Sequence, residues 1–250
     1  LFFAKILLFG EYGIIKDSMG LSIPYNFYHG SLKIPYKNNT SIKESHQKLL
    51  DFSNYLKTLD ADLISFNWKK FNFDLERKIY FDSSIPQGYG VGSSGALVAA
   101  IYYQYALRKI TILENLTKEK LLYLKNIFSL MESFFHGKSS GLDPLNSYLC
   151  LPILINSKKN IETIGIPPQT TNGKGAIFLI DSGVASKTAP MISIFMENMK
   201  KEAFNNMIGD QFIRYSDACV KNFVDGNLNS LFNNIQSLSL LVLKNFVTMI

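Results

Sequence analysis

The first nine residues, Leu1-Phe2-Phe3-Ala4-Lys5-Ile6-Leu7-Leu8-Phe9, are apolar at every position but Lys5, and Gly10-Glu11-Tyr12-Gly13 breaks the run. An apolar run without alternation predicts a strand buried on both faces. Ser22 to Tyr36 has strand-like composition punctuated by Pro24, Gly30 and Pro35. Past a polar loop at 37–41, Ile42 to Leu59 carries a helical pattern. Phe71, Phe73 and Leu75 alternate, as do Ile79 and Phe81, and Glu76-Arg77 stands between them, which predicts a β-hairpin. The loop Pro86 to Gly95 then opens into an apolar helix over Ala96 to Leu107. A second helix follows over Lys118 to Phe135, and a short third over Asp143 to Leu149.

Pro167-Pro168-Gln169-Thr170-Thr171-Asn172-Gly173 is the sharpest shift in composition and marks the expected boundary between domains 1–172 and 173–250. Beyond it, Ala176 to Ile180 reads as a buried strand ending at Asp181-Ser182-Gly183. From Thr188 the chain reads as helical, in two segments up to Asn222 and another from Leu228 onward. Strands and helices mixed without a regular βαβ rhythm predict an α+β fold.

Composition narrows the function classes. Hydrophobic residues make up 47% and charged residues 18%, enough for a sizeable core and too apolar for wholesale disorder. Ala96 to Leu107 falls short of the ~20 residues of a membrane helix. The N-terminal run lacks a basic leader and a small-residue cleavage site, so it reads as a strand rather than a signal peptide. Since it begins with Leu1, the chain is expected to start inside a longer product. The net charge of +6 is scattered, with only the pairs Lys69-Lys70, Lys158-Lys159 and Lys200-Lys201, which fits a solvated surface better than a nucleic-acid footprint. Cys150 and Cys219 cannot build a disulfide framework or a four-cysteine zinc site, and they fit a reducing cytoplasm. His29, His46 and His136 share no metal-ligand spacing.

Two stretches carry candidate chemistry. In Pro86-Gln87-Gly88-Tyr89-Gly90-Val91-Gly92-Ser93-Ser94-Gly95, glycines let the backbone approach a ligand, and a helix start adds N–H groups and a positive dipole end. A tight strand-to-helix turn is the plain alternative. The loop has no lysine, so it is no Walker A motif. Gly90, Gly92 and Gly95 match G-x-G-x-x-G with Glu114 downstream. A dinucleotide fold, however, needs its strand to run straight into the first glycine, and residues 83–87 intervene.

The second stretch is Glu132-Ser-Phe-Phe-His136-Gly-Lys-Ser-Ser-Gly-Leu-Asp143. At roughly 100° per residue, Leu121, Leu124, Phe128, Met131 and Phe135 share a helical face, and Glu132 falls within its arc. A carboxylate there needs a partner, either a metal ion or a backbone it caps. Asp143 stands at a helix start, where an N-cap is the commoner role. Gly137-Lys138-Ser139-Ser140-Gly141 matches G-x-S-x-G only formally, because a helix precedes it and no histidine follows His136.

With Ala4 to Tyr12 at the N-terminus, these stretches resemble the galactokinase, homoserine kinase, mevalonate kinase and phosphomevalonate kinase superfamily, and within it mevalonate kinase most. The signature H-G-x-x-S-G-x-D is met by His136, Gly137, Ser140, Gly141 and Asp143. Asp181-Ser182-Gly183-Val184-Ala185-Ser186-Lys187-Thr188 resembles the segment that opens the second domain, and the order agrees over about residues 4 to 190. The resemblance implies an N-terminal domain like ribosomal protein S5 and a ferredoxin-like C-terminal domain, incomplete here. It also implies ATP- and Mg²⁺-dependent phosphorylation of a small alcohol, mevalonate first, in isoprenoid precursor synthesis, with a homodimer as one possible assembly. By position, Gly88, Gly90, Gly92, Ser93 and Ser94 wrap the ATP phosphates. Ser94 and Glu132 hold the metal, Asp143 is the base, and Lys5 lies beside it. Glu11, Tyr12, His136 and Thr188 face the acceptor. Tyr12 replaces a histidine usual in mevalonate kinases. The family's third motif, a second glycine-rich loop, is expected beyond Ile250 or absent from this copy. A kinase for another small alcohol and a non-catalytic nucleotide-binding homologue are the competing readings.

Overall fold

The computed structural model describes residues 1–36, 40–111, 115–166, 178–181, 183–185 and 188–246. They form two compact units. One comprises Leu1–Ile6, Pro24–Gln87 and Val91–Cys150, and the other Leu7–Ile23, Gly88–Gly90 and Leu151–Ile250. Strands and helices are mixed, as an α+β fold requires. Strand β1 (Phe2–Phe9) neighbours β2 (Gly20–Lys33). Only Ala4 and Lys5 of β1 are buried, so burial on both faces holds at mid-strand alone.

In the first unit, the C-terminal part of β2 pairs antiparallel with β3 (Tyr80–Ser83), from Gly30 opposite Ser83 to Lys33 opposite Tyr80. A side chain at Gly30 would meet the Phe81 ring at 2.2 Å, so glycine lets that ring cross the sheet. Among the described residues, five helices belong to this unit: α1 (Thr40–Leu56), α2 (Trp68–Glu76), α3 (Ser93–Tyr105), α4 (Lys118–His136) and α5 (Leu142–Leu149). Helix α3 is apolar nearly all round and accordingly buried from Gly95 to Tyr102. Helix α4 buries Leu121, Leu124, Phe128 and Met131 as one stripe, and Thr117 caps it by accepting from the Lys120 N–H.

The expected hairpin over 71–81 is instead a helix followed by a strand. Asn67 caps α2 by accepting from the Lys70 N–H at 3.0 Å. Phe71 and Leu75, one turn apart, are buried while Phe73 is exposed. Residues two apart fit a strand and residues four apart fit a helix, and this segment offers both spacings. The cap and the stacking of Phe71 on Tyr105 at 4.1 Å decide for the helix.

In the second unit, Gly20–Ser22 of β2 pairs with β4 (Ile153–Ser157), which forms a hairpin with β5 (Asn160–Thr163). Leu21, Leu154 and Val220 form one apolar centre. Helices α6 (Thr188–Asn198) and α7 (Glu202–Met207) come next. A π-helical turn at Ile208–Phe212 then runs into α8 (Ile213–Val224), and α9 (Leu228–Asn245) follows. Phe195, Ile208, Phe212 and Phe246 make a second centre. The proposed boundary Pro167–Gly173 lies outside the described residues, as do Ala176 and Ile177 of the expected strand. Its remaining residues, Phe178, Leu179 and Ile180, are exposed and in no strand. Among the described residues nothing pairs with their backbone, so the apolar run does not act as a strand there. Among the described residues no helix is long and apolar enough to cross a membrane.

Candidate active site

Strand β1 delivers Lys5 to the start of α3. The Lys5 backbone N–H donates to the Val91 carbonyl at 3.0 Å, which ties strand to loop. Gly92 is the N-cap of α3 in the left-handed conformation, φ 83°. A side chain there would lie 2.9 Å from Lys5 Cγ, so glycine serves both the turn and the passage of the lysine. Lys5 is only 8% exposed, and its Nζ lies 3.1 Å from Asp143 Oδ1. The N-cap of α5 is Gly141, at φ 74°, so Asp143 is not the cap but a first-turn residue with its carboxylate directed to Lys5. Two close approaches fix this geometry. A Cβ at Gly95 would meet the Asp143 carbonyl carbon at 2.7 Å, and one at Gly141 would meet the Lys125 oxygen at 2.1 Å.

A second group of side chains meets at the same helix start. Ser94 Oγ donates to Glu132 Oε1 at 2.9 Å and lies 3.0 Å from His136 Nε2. Because the single hydroxyl proton of Ser94 goes to Glu132, the second contact requires the proton on His136 Nε2. Ser139 Oγ donates to Glu132 Oε2 and accepts from the Gly141 N–H at 3.0 Å, and Ser129 Oγ donates to the Ser139 carbonyl at 2.5 Å. Glu132 is 3% exposed. Burial first, then the Asp143 charge, push its carboxyl up to about 7, opposed by Ser139, Ser94 and Lys5. Its partners are hydroxyls, so the backbone-capping alternative does not hold.

These donors suit a hard divalent cation. One carboxylate and one hydroxyl match the few protein ligands magnesium takes when phosphates supply the rest. Among the described residues no three His, Cys, Asp or Glu side chains cluster for a metal, so a protein-only cage is absent there. A cation would also relieve the buried carboxylate that its surroundings push toward neutrality.

Lys5, Gly92, Ser93, Ser94, Glu132, His136 and Asp143 thus come together in the first unit. Gly88 and Gly90, also at positive φ, belong to the second unit. So do Glu11, which is exposed, and Tyr12, whose ring stacks on Phe195 at 5.1 Å and tilts against Phe246 at 5.8 Å. Burial, then the Glu11 charge, raise the Tyr12 hydroxyl above the usual phenol range. Thr188 opens α6, and its side chain lies outside the described set. Sequence reasoning missed Ser139 and Ser129 as the groups holding Glu132 and its loop. For Ser139 the only signal was a serine doublet after a helix-ending glycine, and for Ser129, inside α4, there was none.

Residues 55–150 match the family described as GHMP kinases N terminal domain. The fold is shared with the L. major mevalonate kinase solved with R-mevalonate, at 15% identity and a TM-score of 0.57, over 97% of this chain and 74% of that one. It is shared also with the Methanococcus jannaschii mevalonate kinase, at 16% identity and a TM-score of 0.50, over 96% and 78%. A GHMP kinase N-terminal domain match over residues 55–150 and a fold shared with mevalonate kinases thus coincide in this chain. No curated protein matches at the level of sequence. The matched GHMP segment contains Gly92, Ser94, Glu132, His136 and Asp143. Lys5 lies outside it, brought to Asp143 by the fold.

Proposed function

We propose that this chain transfers the γ-phosphoryl group of ATP to the hydroxyl of a small alcohol, with mevalonate the first acceptor to test. The observation that carries the reading is the Lys5–Asp143 ion pair at the start of α3, with the Ser94–Glu132 hydrogen bond on the same helical turn. Phosphoryl transfer asks a protein mainly to align two oxygens and neutralise charge. The N–H groups of Gly92, Ser93 and Ser94 begin a helix and lack intrahelical partners, so they suit phosphate oxygens. Gly88 and Gly90 supply the rest of the loop. Asp143, with its side chain 36% exposed, can reach a hydroxyl and accept its proton. Lys5 pairs with that carboxylate and balances charge on the transferring group. Glu132 and Ser94 would hold Mg²⁺, which when bound neutralises the phosphate oxygens. By the resemblance, Glu11, Tyr12, His136 and Thr188 are the residues to test for an effect on acceptor use.

One observation favours a second acceptor. Tyr12 puts an aromatic ring, packed on Phe195 and Phe246, where mevalonate kinases usually have histidine. A kinase for homoserine or a sugar is the reading it supports. Product analysis with ATP and each of mevalonate, homoserine and galactose decides between them. Phosphorylation of mevalonate above the others is expected. Preference for another alcohol moves the acceptor and leaves the chemistry, whereas transfer to none of them, with ATP unbound, removes the kinase reading.

A further inference from the structure

A cleft of about 790 Å³ opens in the first unit, and none of the residues assembled around Lys5 and Asp143 lines it. Helix α3 joins the two places. Its N-terminus carries Gly92 to Ser94, and Ala100 and Tyr103 line the cleft, roughly 9–14 Å along the axis from Ser94 at 1.5 Å per residue. The floor is apolar. Phe2 and Tyr103 meet edge to face at 5.7 Å, beside Leu32 and Ile79. This volume and lining fall within the range of small-molecule sites.

Helix α2 and its C-cap residue, Arg77, supply the wall. Lys70, Asp74 and Arg77 stand four and three residues apart, so they project from one helical face into the cleft. Asp74 is only 8% exposed, and its Oδ2 accepts from the Tyr105 hydroxyl at 2.9 Å. Among the described residues Asp74 has no cationic partner, and neither Lys70 nor Arg77 forms an ion pair. Lys70 lies over the Tyr105 ring at 5.8 Å and Arg77 over the Phe73 ring at 5.4 Å. Lys33, also on the cleft, is spent on Asp82 at 2.6 Å. Two cations with no acidic partner among the described residues therefore line a cleft with an apolar floor, and its single acid is already engaged by a phenol. That charge balance selects an anion, and the floor selects a flat apolar body attached to it.

We propose that this cleft is a second ligand site, taking a small organic phosphate whose phosphoryl group lies between Lys70 and Arg77 and whose ring lies on Phe2 and Tyr103. An arginine fork is suited to phosphate, and a lysine adds a point charge. The site stands apart from the phosphotransfer reading, and its test rests on that reading only in using ATP to fill the phosphate loop.

Calorimetry with 1-naphthyl phosphate on the full chain tests the proposal, with ATP present at saturation to occupy the phosphate loop. One-to-one binding is expected in the presence of ATP. Inorganic phosphate and 1-naphthol should each bind at least tenfold more weakly, because each keeps only half of the contacts. Arg77→Gln, Lys70→Gln and Tyr103→Ala should each weaken binding about fivefold, the scale of about 1 kcal/mol for one contact. Arg77 and Tyr103 are exposed, so melting temperatures should hold. Absence of binding, displacement by ATP, or unchanged affinity in the folded Arg77→Gln, Lys70→Gln and Tyr103→Ala proteins overturns it.

Discussion

Around the start of α3 the contacts are polar and short: Lys5 on Asp143, Ser94 and Ser139 on Glu132, His136 on Ser94. Around Tyr12 they are rings. Phe195 stacks on it, Phe246 tilts against it, and Phe204 and Phe212 extend the cluster at 5.5 and 5.3 Å from Phe246. The first region spends buried polar groups to place charge, and each of them needs a named partner. The second spends apolar area to hold the loop that bears Glu11 and Tyr12, and any well-fitting ring can contribute. Damage to the first should therefore appear in turnover before stability, and damage to the second in stability before chemistry.

The largest expected effect belongs to the aromatic region. Phe195 is fully buried. Phe195→Ala should cost about 3–5 kcal/mol, the range for truncating a buried phenylalanine. Urea unfolding measures it. A loss below about 1 kcal/mol would mean the ring cluster does not hold the loop.

Asp143→Asn comes next and reverses the pattern. Losing a positioned base lowers turnover by about 10² or more, equivalent to about 2.7 kcal/mol of barrier. Asparagine still offers Lys5 an oxygen, and the α5 cap is Gly141, so stability should fall by only about 1 kcal/mol. Steady-state kinetics beside melting curves checks both. Near-normal turnover in the folded variant would erase the distinction between the regions.

That distinction also explains what could be read from the sequence. Gly92, Ser94, Glu132 and Asp143 were legible because backbone conformation and charge restrict which residue can stand there. Lys5 was legible as the one charge in an apolar strand. Helix α2 was misread because Phe71, Phe73 and Leu75 satisfy two periodicities, and the deciding contact, Phe71 on Tyr105, is remote in sequence. The β4–β5 hairpin went unread, since its strands have only five and four residues. Ser139 was invisible as the partner of Glu132 because the chain turns at Gly137 between them. The packing of Tyr12 depends on Phe195 and Phe246, which lie far along the chain and carry no motif.

A pair of glycine variants sharpens the comparison inside the polar region. Gly95→Ala places a methyl against the Asp143 and Pro144 backbone at 2.7 and 2.8 Å, where nothing flexible can give way. It should cost about 1–3 kcal/mol and reduce turnover by shifting α5. Gly90→Ala meets nothing within 4 Å and pays only for φ 69°, about 1–2 kcal/mol. Melting temperatures and turnover of both separate close packing from conformational freedom. Equal activity losses in the two would show that α3 and α5 are not held at a critical distance.

The smallest effect concerns Glu132 and depends on pH. Its carboxyl is raised from 4.5 to about 7, chiefly by burial. Below pH 4.5 it is protonated in the folded and unfolded chains alike, so its buried neutral form carries no penalty. As pH rises from about 4.5 to 7 the unfolded chain gives up this proton first, and folded-state stability is lost across that window. Above about pH 7 the full cost of a buried charge remains, moderated by the hydroxyls of Ser94 and Ser139 and the ammonium of Lys5. Glu132→Gln removes the titration while keeping one oxygen for a hydroxyl. Its melting temperature should therefore fall less than that of the unaltered chain between pH 5 and pH 7.5, by a few degrees. Turnover of the variant should need more magnesium, because a carboxylate ligand is gone. Melting curves across that pH range, with magnesium titrations of turnover at pH 7.5, read both effects. Parallel melting profiles would mean that Glu132 is ionised throughout, already matched by its neighbours. An unchanged magnesium requirement would leave it as a hydrogen-bonded anchor for the Ser139 loop, and Ser94 would lose its proposed partner at the metal.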